Sequence, residues 1–147
     1  ADNASMTGTN FSSWYNQSQG AIYVDYDMNN ITTSCSAGYM GLSSNATNSI
    51  TAVNNSNNIH ITDNSGVVYS QTYPVATRSV RYINILSYQN NNIKSIRSDT
   101  GVVASQASGT VPVVDTLKVA LAINGHIRKL AYYPVALSSA NLIALTS

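Results

Sequence analysis

Asn124-Gly125-His126-Ile127-Arg128-Lys129-Leu130-Ala131-Tyr132-Tyr133-Pro134-Val135-Ala136-Leu137-Ser138-Ser139-Ala140-Asn141-Leu142-Ile143-Ala144-Leu145 is the stretch whose reading decides the fold. Asn-Gly is a tight-turn dipeptide because both residues tolerate positive φ, and the residues from His126 to Tyr133 have the β-branched and aromatic content of a strand. Pro134 has no N–H to give a sheet ladder and closes that strand. Ser138 then offers a side-chain oxygen to an orphan N–H of a first helical turn. Leu142 and Leu145 share one face of the helix beyond it, with Leu137 placed to pack just before the cap. About two turns of helix are unstable alone, so this one requires a sheet to lie on. Ile127 and Leu130 are three apart and cannot both point inward on a regular strand, whereas Leu130 and Tyr132 keep a two-residue period; a bulge near Arg128-Lys129 reconciles them.

Working outward, Leu117 to Ile123 is expected to pair with Ile127 to Tyr133 as a hairpin across Asn124-Gly125. Ile93 to Arg97 and Val102 to Ser105 make another over Asp99-Thr100-Gly101, and Asn58 to Asp63 with Gly66 to Gln71 a third over Asn64-Ser65. Val80 to Tyr88, Ala37 to Leu42 and Ala21 to Asp27 read as strands, the last with Ile22, Val24 and Tyr26 on one face against Tyr23 and Asp25 on the other. Asn clusters at 29–30, 54–58 and 90–92 punctuate these runs, since Asn bonds its own backbone and tolerates the left-handed region. Strands at such spacing, with a helix only at the end, predict an all-β fold: two packed antiparallel sheets in a sandwich or jelly roll, first and last strands adjacent.

The chain has 147 residues, the size of one domain spanning 1–147. Charged residues are 9% of it, against the usual quarter, and the formal charge is +1, which leaves no field to attract nucleic acid or an anionic membrane. No apolar run approaches the ~20 residues that span a bilayer. Ala1-Asp2-Asn3 carries neither an initiator Met nor a signal-peptide pattern, so a piece of a longer chain is expected. The single cysteine, Cys35, rules out an intrachain disulfide or cysteine-based zinc site and reads as a small apolar residue. Asn-x-Ser/Thr triplets start at Asn3, Asn10, Asn16, Asn30, Asn45 and Asn54, and a composition so rich in these residues produces them by coincidence.

No catalytic constellation stands out. Asp25 and Asp27 are the one acidic pair with strand spacing, the arrangement a glycoside hydrolase uses for acid and nucleophile, but the chain has no glutamate and they read as polar residues at a strand end. Two histidines, His60 and His126, are too few for a histidine-based metal site, and His126 reads as a local hydrogen-bonding residue. Ten tyrosines and one tryptophan are the better lead, since an aromatic ring stacks on a sugar while Asn, Ser and Thr satisfy its hydroxyls without net charge. Tyr26, Tyr82 and Tyr132 lie in phase with apolar neighbours and are expected in the core. Tyr39, Tyr69, Tyr73 and Tyr88 are less clearly in phase and are expected on an exposed binding surface, with Trp14 and Tyr15 as either sugar platform or structural plug.

Gly125-His126-Ile127-Arg128-Lys129-Leu130-Ala131-Tyr132-Tyr133-Pro134, followed by Leu137-Ser138 and a small helix, resembles the C-terminal signature of concanavalin A-like (laminin G-like) jelly-roll domains, in particular those appended to bacteriophage tail and fibre proteins. Phe11-Ser12-Ser13-Trp14-Tyr15-Asn16-Gln17-Ser18-Gln19-Gly20, with the strand after it, resembles the opening of the same domains. The resemblance implies a virion location, cell-surface glycan and other virion proteins as partners, and a homo-oligomer of trimeric type in the full-length protein. Many laminin G-like relatives bind calcium through loops. Asp63, Asp99 and Asp115 are the loop carboxylates here, too scattered for a hard cation, so no cofactor is expected. The expected function is non-catalytic carbohydrate binding for host attachment, with a purely structural fibre-capping or trimerisation domain as the rival and a glycoside hydrolase third.

Overall fold

The computed structural model describes residues 4–29, 35–54, 57–121 and 124–147. In chain order the elements are β1 (Ser5–Thr7), α1 (Thr9–Ser12), β2 (Gln19–Met28), β3 (Ser36–Leu42), β4 (Asn45–Asn54), β5 (Asn58–Asp63), β6 (Gly66–Thr72), β7 (Arg81–Gln89), β8 (Ile93–Arg97), β9 (Ala104–Gln106), β10 (Thr116–Leu121), β11 (Gly125–Tyr133) and α2 (Ser139–Thr146). They form a two-sheet antiparallel jelly-roll sandwich: a six-stranded sheet ordered β1-β10-β3-β4-β5-β6 faces a five-stranded sheet ordered β11-β2-β7-β8-β9. The hairpins over Asn64-Ser65 and Asp99-Thr100-Gly101 are present, with β9 beginning two residues later than expected. β2, the first long strand, pairs with β11, the last.

The hairpin expected across Asn124-Gly125 is not formed. β10 pairs with β1 and β3 in the first sheet while β11 pairs with β2 in the second, so the chain changes sheets there. Residues 122–123 of the expected strand, and the Asn-x-Ser/Thr positions Asn3 and Asn30, lie outside the described residues. Gly125 is needed for another reason than a turn: β11 approaches β2 so closely that any Cβ at Gly125 would overlap the Asp27 carbonyl oxygen. The bulge in β11 falls as expected, with a register shift between Ile127 and Lys129 that turns Ile127, Leu130 and Tyr132 inward.

Ile22, Val24, Tyr26 and Met28 of β2 and Tyr82, Leu86 and Tyr88 of β7 meet Met40, Ile50, Ile59, Ile61 and Tyr69 of the first sheet in one core cluster. Polar ties cross it: the Asn84 side-chain amide donates to the Ala52 carbonyl at 2.8 Å, and the hydroxyls of Tyr69 and Tyr73 share the Ser95 hydroxyl at 2.7 and 2.8 Å. Arg97, 0% exposed, lies between the rings of Tyr73 and Tyr82 and holds Asp99 through two hydrogen bonds of 2.7 and 2.8 Å.

α2 is capped as the sequence indicates, the Asn141 N–H donating to Ser138 Oγ at 3.2 Å. It closes a second apolar cluster on the outer face of the second sheet, where Leu142 and Leu137 pack on Ala21, Tyr23, Ile83, Ile85 and Ile96. Both faces of β7 are therefore buried. None of the helices among the described residues is long and apolar enough to cross a membrane.

Candidate functional site

The residues beside the sandwich core decide what the outer face of the first sheet presents. Met40, Ile50, Ile61 and Leu117 point inward, so their strand neighbours point out. The register aligns Ser5, Lys118, Tyr39, Thr51, His60 and Ser70 in one row across six strands. Beside it runs Thr7, Thr116, Gly41, Ser49 and Thr62. The two rows carry hydroxyls and one aromatic ring, with Thr51, Ser49 and Thr116 themselves buried, and Lys118 is the only formal charge in either row. Burial lowers the His60 pKa below the ordinary histidine value and raises that of Tyr39, so both are neutral hydrogen-bonding groups at neutral pH.

Tyr39 is seated by Gly41. A Cβ at Gly41 would come 2.6 Å from Tyr39 Cε1 and 2.7 Å from its hydroxyl, so only glycine lets the ring lean onto the sheet. The Lys118 ammonium stands 5.8 Å from the ring centroid, within cation–π reach and able to donate to a ligand on the ring. Tyr39, Gly41, Leu42, Ser43, Thr116 and Lys118 enclose a cavity of about 290 Å³. A larger one of about 560 Å³, between α1 and the segment before β10, is also lined by Ser43 and Thr116, together with Asp115, Val113, Gln17, Ser12 and Tyr15. Ser43 is fixed between them by Asp115, its N–H donating at 2.7 Å and its hydroxyl at 2.5 Å.

Of the expected ligand-binding residues, the structure places Tyr39 on this face and Tyr15 in the wall of the larger cavity. Tyr69, Tyr73 and Tyr88 are corrected from exposed to core, being 4%, 5% and 0% exposed. Tyr69 is opposite the inward Ile61 because the β5–β6 register shifts between Ile61 and Thr62. Tyr88 looked out of phase only because α2 buries the other face of its strand too. Trp14 and Tyr15 belong to a plug at the end of the sandwich: Tyr15 stacks on Phe11 at 4.6 Å, Trp14 meets the Tyr132 ring edge-on at 4.8 Å and donates from Nε1 to the Asn10 carbonyl at 2.7 Å. Burial raises the Tyr15 and Tyr88 phenol pKa values, so neither ionises in the neutral range.

Asp25 and Asp27 share the outer face of the second sheet, 5% and 4% exposed, and each is engaged by a guanidinium. Arg81 of β7 grips Asp25 with two hydrogen bonds of 2.9 and 2.7 Å. Asp27 is held from β11 by Arg128 at 2.7 Å and His126 Nδ1 at 2.9 Å, and the His126 bond, then Arg128, pulls its pKa below the carboxylate value. Asp27, held ionised by two donors, is unsuited to act as a general acid, and with Asp25 gripped by Arg81 both read as cross-strand structural ion pairs. The loop carboxylates are engaged separately: Asp63 accepts from the Ser65 N–H, Asp99 from Arg97 and Asp115 from Ser43. Among the described residues no group of three or more His, Cys or Asp side chains is placed to hold a metal ion.

No protein-family model and no curated protein matches the sequence. Solved structures do match in fold. The CBM40 domain of the Ruminococcus gnavus IT-sialidase, bound to alpha2,3 sialyllactose, superposes with a TM-score of 0.73 at 18% identity over 100% of this chain and 97% of its own. The leech intramolecular trans-sialidase gives 0.74 at 18% identity over 99% of this chain, which spans about a quarter (26%) of that enzyme. Domain 4 of the extracellular arabinanase AbnA of Geobacillus stearothermophilus, in complex with arabinotriose, gives 0.64 at 18% identity over 90% of this chain and 68% of that one. At such identity the likeness is one of fold.

Proposed function

We propose that this chain is a non-catalytic carbohydrate-binding domain whose ligand lies on the outer face of the first sheet, against Tyr39. The observation that carries the reading is the Tyr39 ring, seated on Gly41 in a cavity whose wall also carries the exposed Ser43 and the Lys118 ammonium. A ring offers a sugar its apolar face while hydroxyls exchange hydrogen bonds with it, and neither needs charge. The fold neighbours agree in kind, as their structures hold sialyllactose and arabinotriose. The finer placement, host-surface attachment on a bacteriophage virion appendage beside other virion proteins in a homo-oligomer, is proposed on the sequence resemblance.

A glycan array followed by titration calorimetry on the best hit tests the reading. Tyr39→Ala should weaken binding at least about tenfold, the scale of one lost stacking contact, while the melting temperature is kept. An array with no hits, or a Tyr39→Ala variant that binds like the parent, would turn the reading to the structural rival.

A further inference from the structure

We propose that this site is a groove for a linear, neutral oligosaccharide rather than a socket for one terminal sugar. The inference rests on the glycan-binding reading above and names its substrate class. The cavity at Tyr39 and the larger one beside α1 are neighbours, with Ser43 and Thr116 in the wall of both. Together they run across β3, β10 and β1, strands about 4.8 Å apart, and continue past the sheet edge to Ser12 of α1. A single ring on Tyr39 would leave the α1 end open.

The floor changes along that path in a way that suits a chain of sugars. At one end is an aromatic platform with an ammonium, Tyr39 and Lys118. In the middle are the exposed Ser43 and, below it, Thr116, whose hydroxyl donates to the Gly41 carbonyl at 3.0 Å. At the far end Val113, 57% exposed, offers apolar surface beside the Gln17 side chain. Gln17 is held rigid, its amide N donating to the Pro112 carbonyl at 2.8 Å and its oxygen accepting from the Val114 N–H at 3.3 Å. Asp115 is the only carboxylate in the path. It accepts hydroxyl hydrogens well and repels a carboxylate or sulfate on the ligand, which selects neutral sugars through the middle of the groove.

Calorimetry with xylo-, cello- and arabino-oligosaccharides of one to six units, beside 3′-sialyllactose, tests this. In the series that binds, affinity should rise about tenfold from disaccharide to tetrasaccharide, the equivalent of one or two further neutral hydrogen bonds, and then level off. Val113→Asp, which removes the apolar surface at the far end, should abolish the rise from disaccharide to tetrasaccharide. Equal affinity for all lengths, lost in Tyr39→Ala, would overturn the groove and keep the glycan site. So would a rise with length that survives Val113→Asp. Preference for 3′-sialyllactose, lost in Arg81→Gln or Arg128→Gln but not in Tyr39→Ala, would overturn both by moving the site to the second sheet.

Discussion

The two sheets present opposite solutions to the same problem, an outer face that water would otherwise reach. On the second sheet α2 covers part of that face with Leu137 and Leu142, and Asp25 and Asp27, pinned under Arg81, Arg128 and His126, lie on another part of it. On the first sheet among the described residues no helix packs on the face, and its rows stay hydroxyl-bearing with Lys118 as their one charge. One face is finished by the chain itself; the other is left without such a cover among the described residues. The contrast predicts that substitutions on the second face cost stability and those on the first cost binding.

The largest effect should come from α2. Leu142 is 0% exposed, so Leu142→Ala removes a fully enclosed side chain and should destabilise by about 2–5 kcal/mol in a urea titration. An unchanged melting temperature would mean the helix serves a partner contact and the second face is not self-completed.

The ion pairs rank next. Arg81 and Arg128 have side chains 59% and 53% exposed, so solvent screens both pairs, and Asp25→Ala or Asp27→Ala should each cost about 1 kcal/mol. Their pH signature is firmer than their size. Asp27 and Asp99 have folded pKa values depressed below the ordinary 3.8, by His126 and by Arg97 respectively. A depressed carboxylate stabilises the fold above its unfolded value and loses that contribution as pH falls through the folded one. Stability from these two groups should therefore be flat from neutral pH to about 4 and fall below it, and Asp27→Asn should flatten part of that fall. Loss of stability already between pH 7 and 5 would point to another group.

These features were legible to different degrees. The strands of the second sheet, the β11 bulge and the capped helix could be read because alternation, Pro134 and Ser138 are local signals. β4 could not: Asn45 to Asn54 is rich in Asn, Ser and Thr, which read as turn residues until Ile50 and Val53 are seen facing the core. Missing β4 hid the polar face, because Thr51 and Ser49 link Tyr39 to β5. The Asn124-Gly125 signal misled for a related reason, as the glycine serves close strand approach. Tyr39 was singled out, yet its partners Gly41, Ser43, Thr116 and Lys118 are brought together by long-range register that no local pattern encodes.

On the first face, Tyr39→Ala should change unfolding free energy by less than about 1 kcal/mol, since a half-exposed side chain on an uncovered sheet loses little burial. A cost as large as that of Leu142→Ala would show that Tyr39 is part of the scaffold, and the contrast between the faces would fail.

The smallest effect is itself diagnostic. If recognition on the first face works through stacking and neutral hydrogen bonds, raising salt from about 0.05 to 0.5 M should leave glycan affinity nearly unchanged, because no counterions are released and there is little field for a Debye layer to screen. Lys118 is the one charge in the rows, and it should act as a donor at contact distance rather than by long-range attraction. Such a site is weak taken singly, so strong attachment requires several copies held together, where tethering raises the effective concentration of the second contact. The measurement is a comparison of monomeric and multimerised domain on one glycan surface at both salt levels. Multimerisation should raise apparent affinity by about a hundredfold or more at either salt. Tight binding by the monomer that collapses with added salt would instead identify the arginines of the second sheet as the recognition surface and reverse the roles of the two faces.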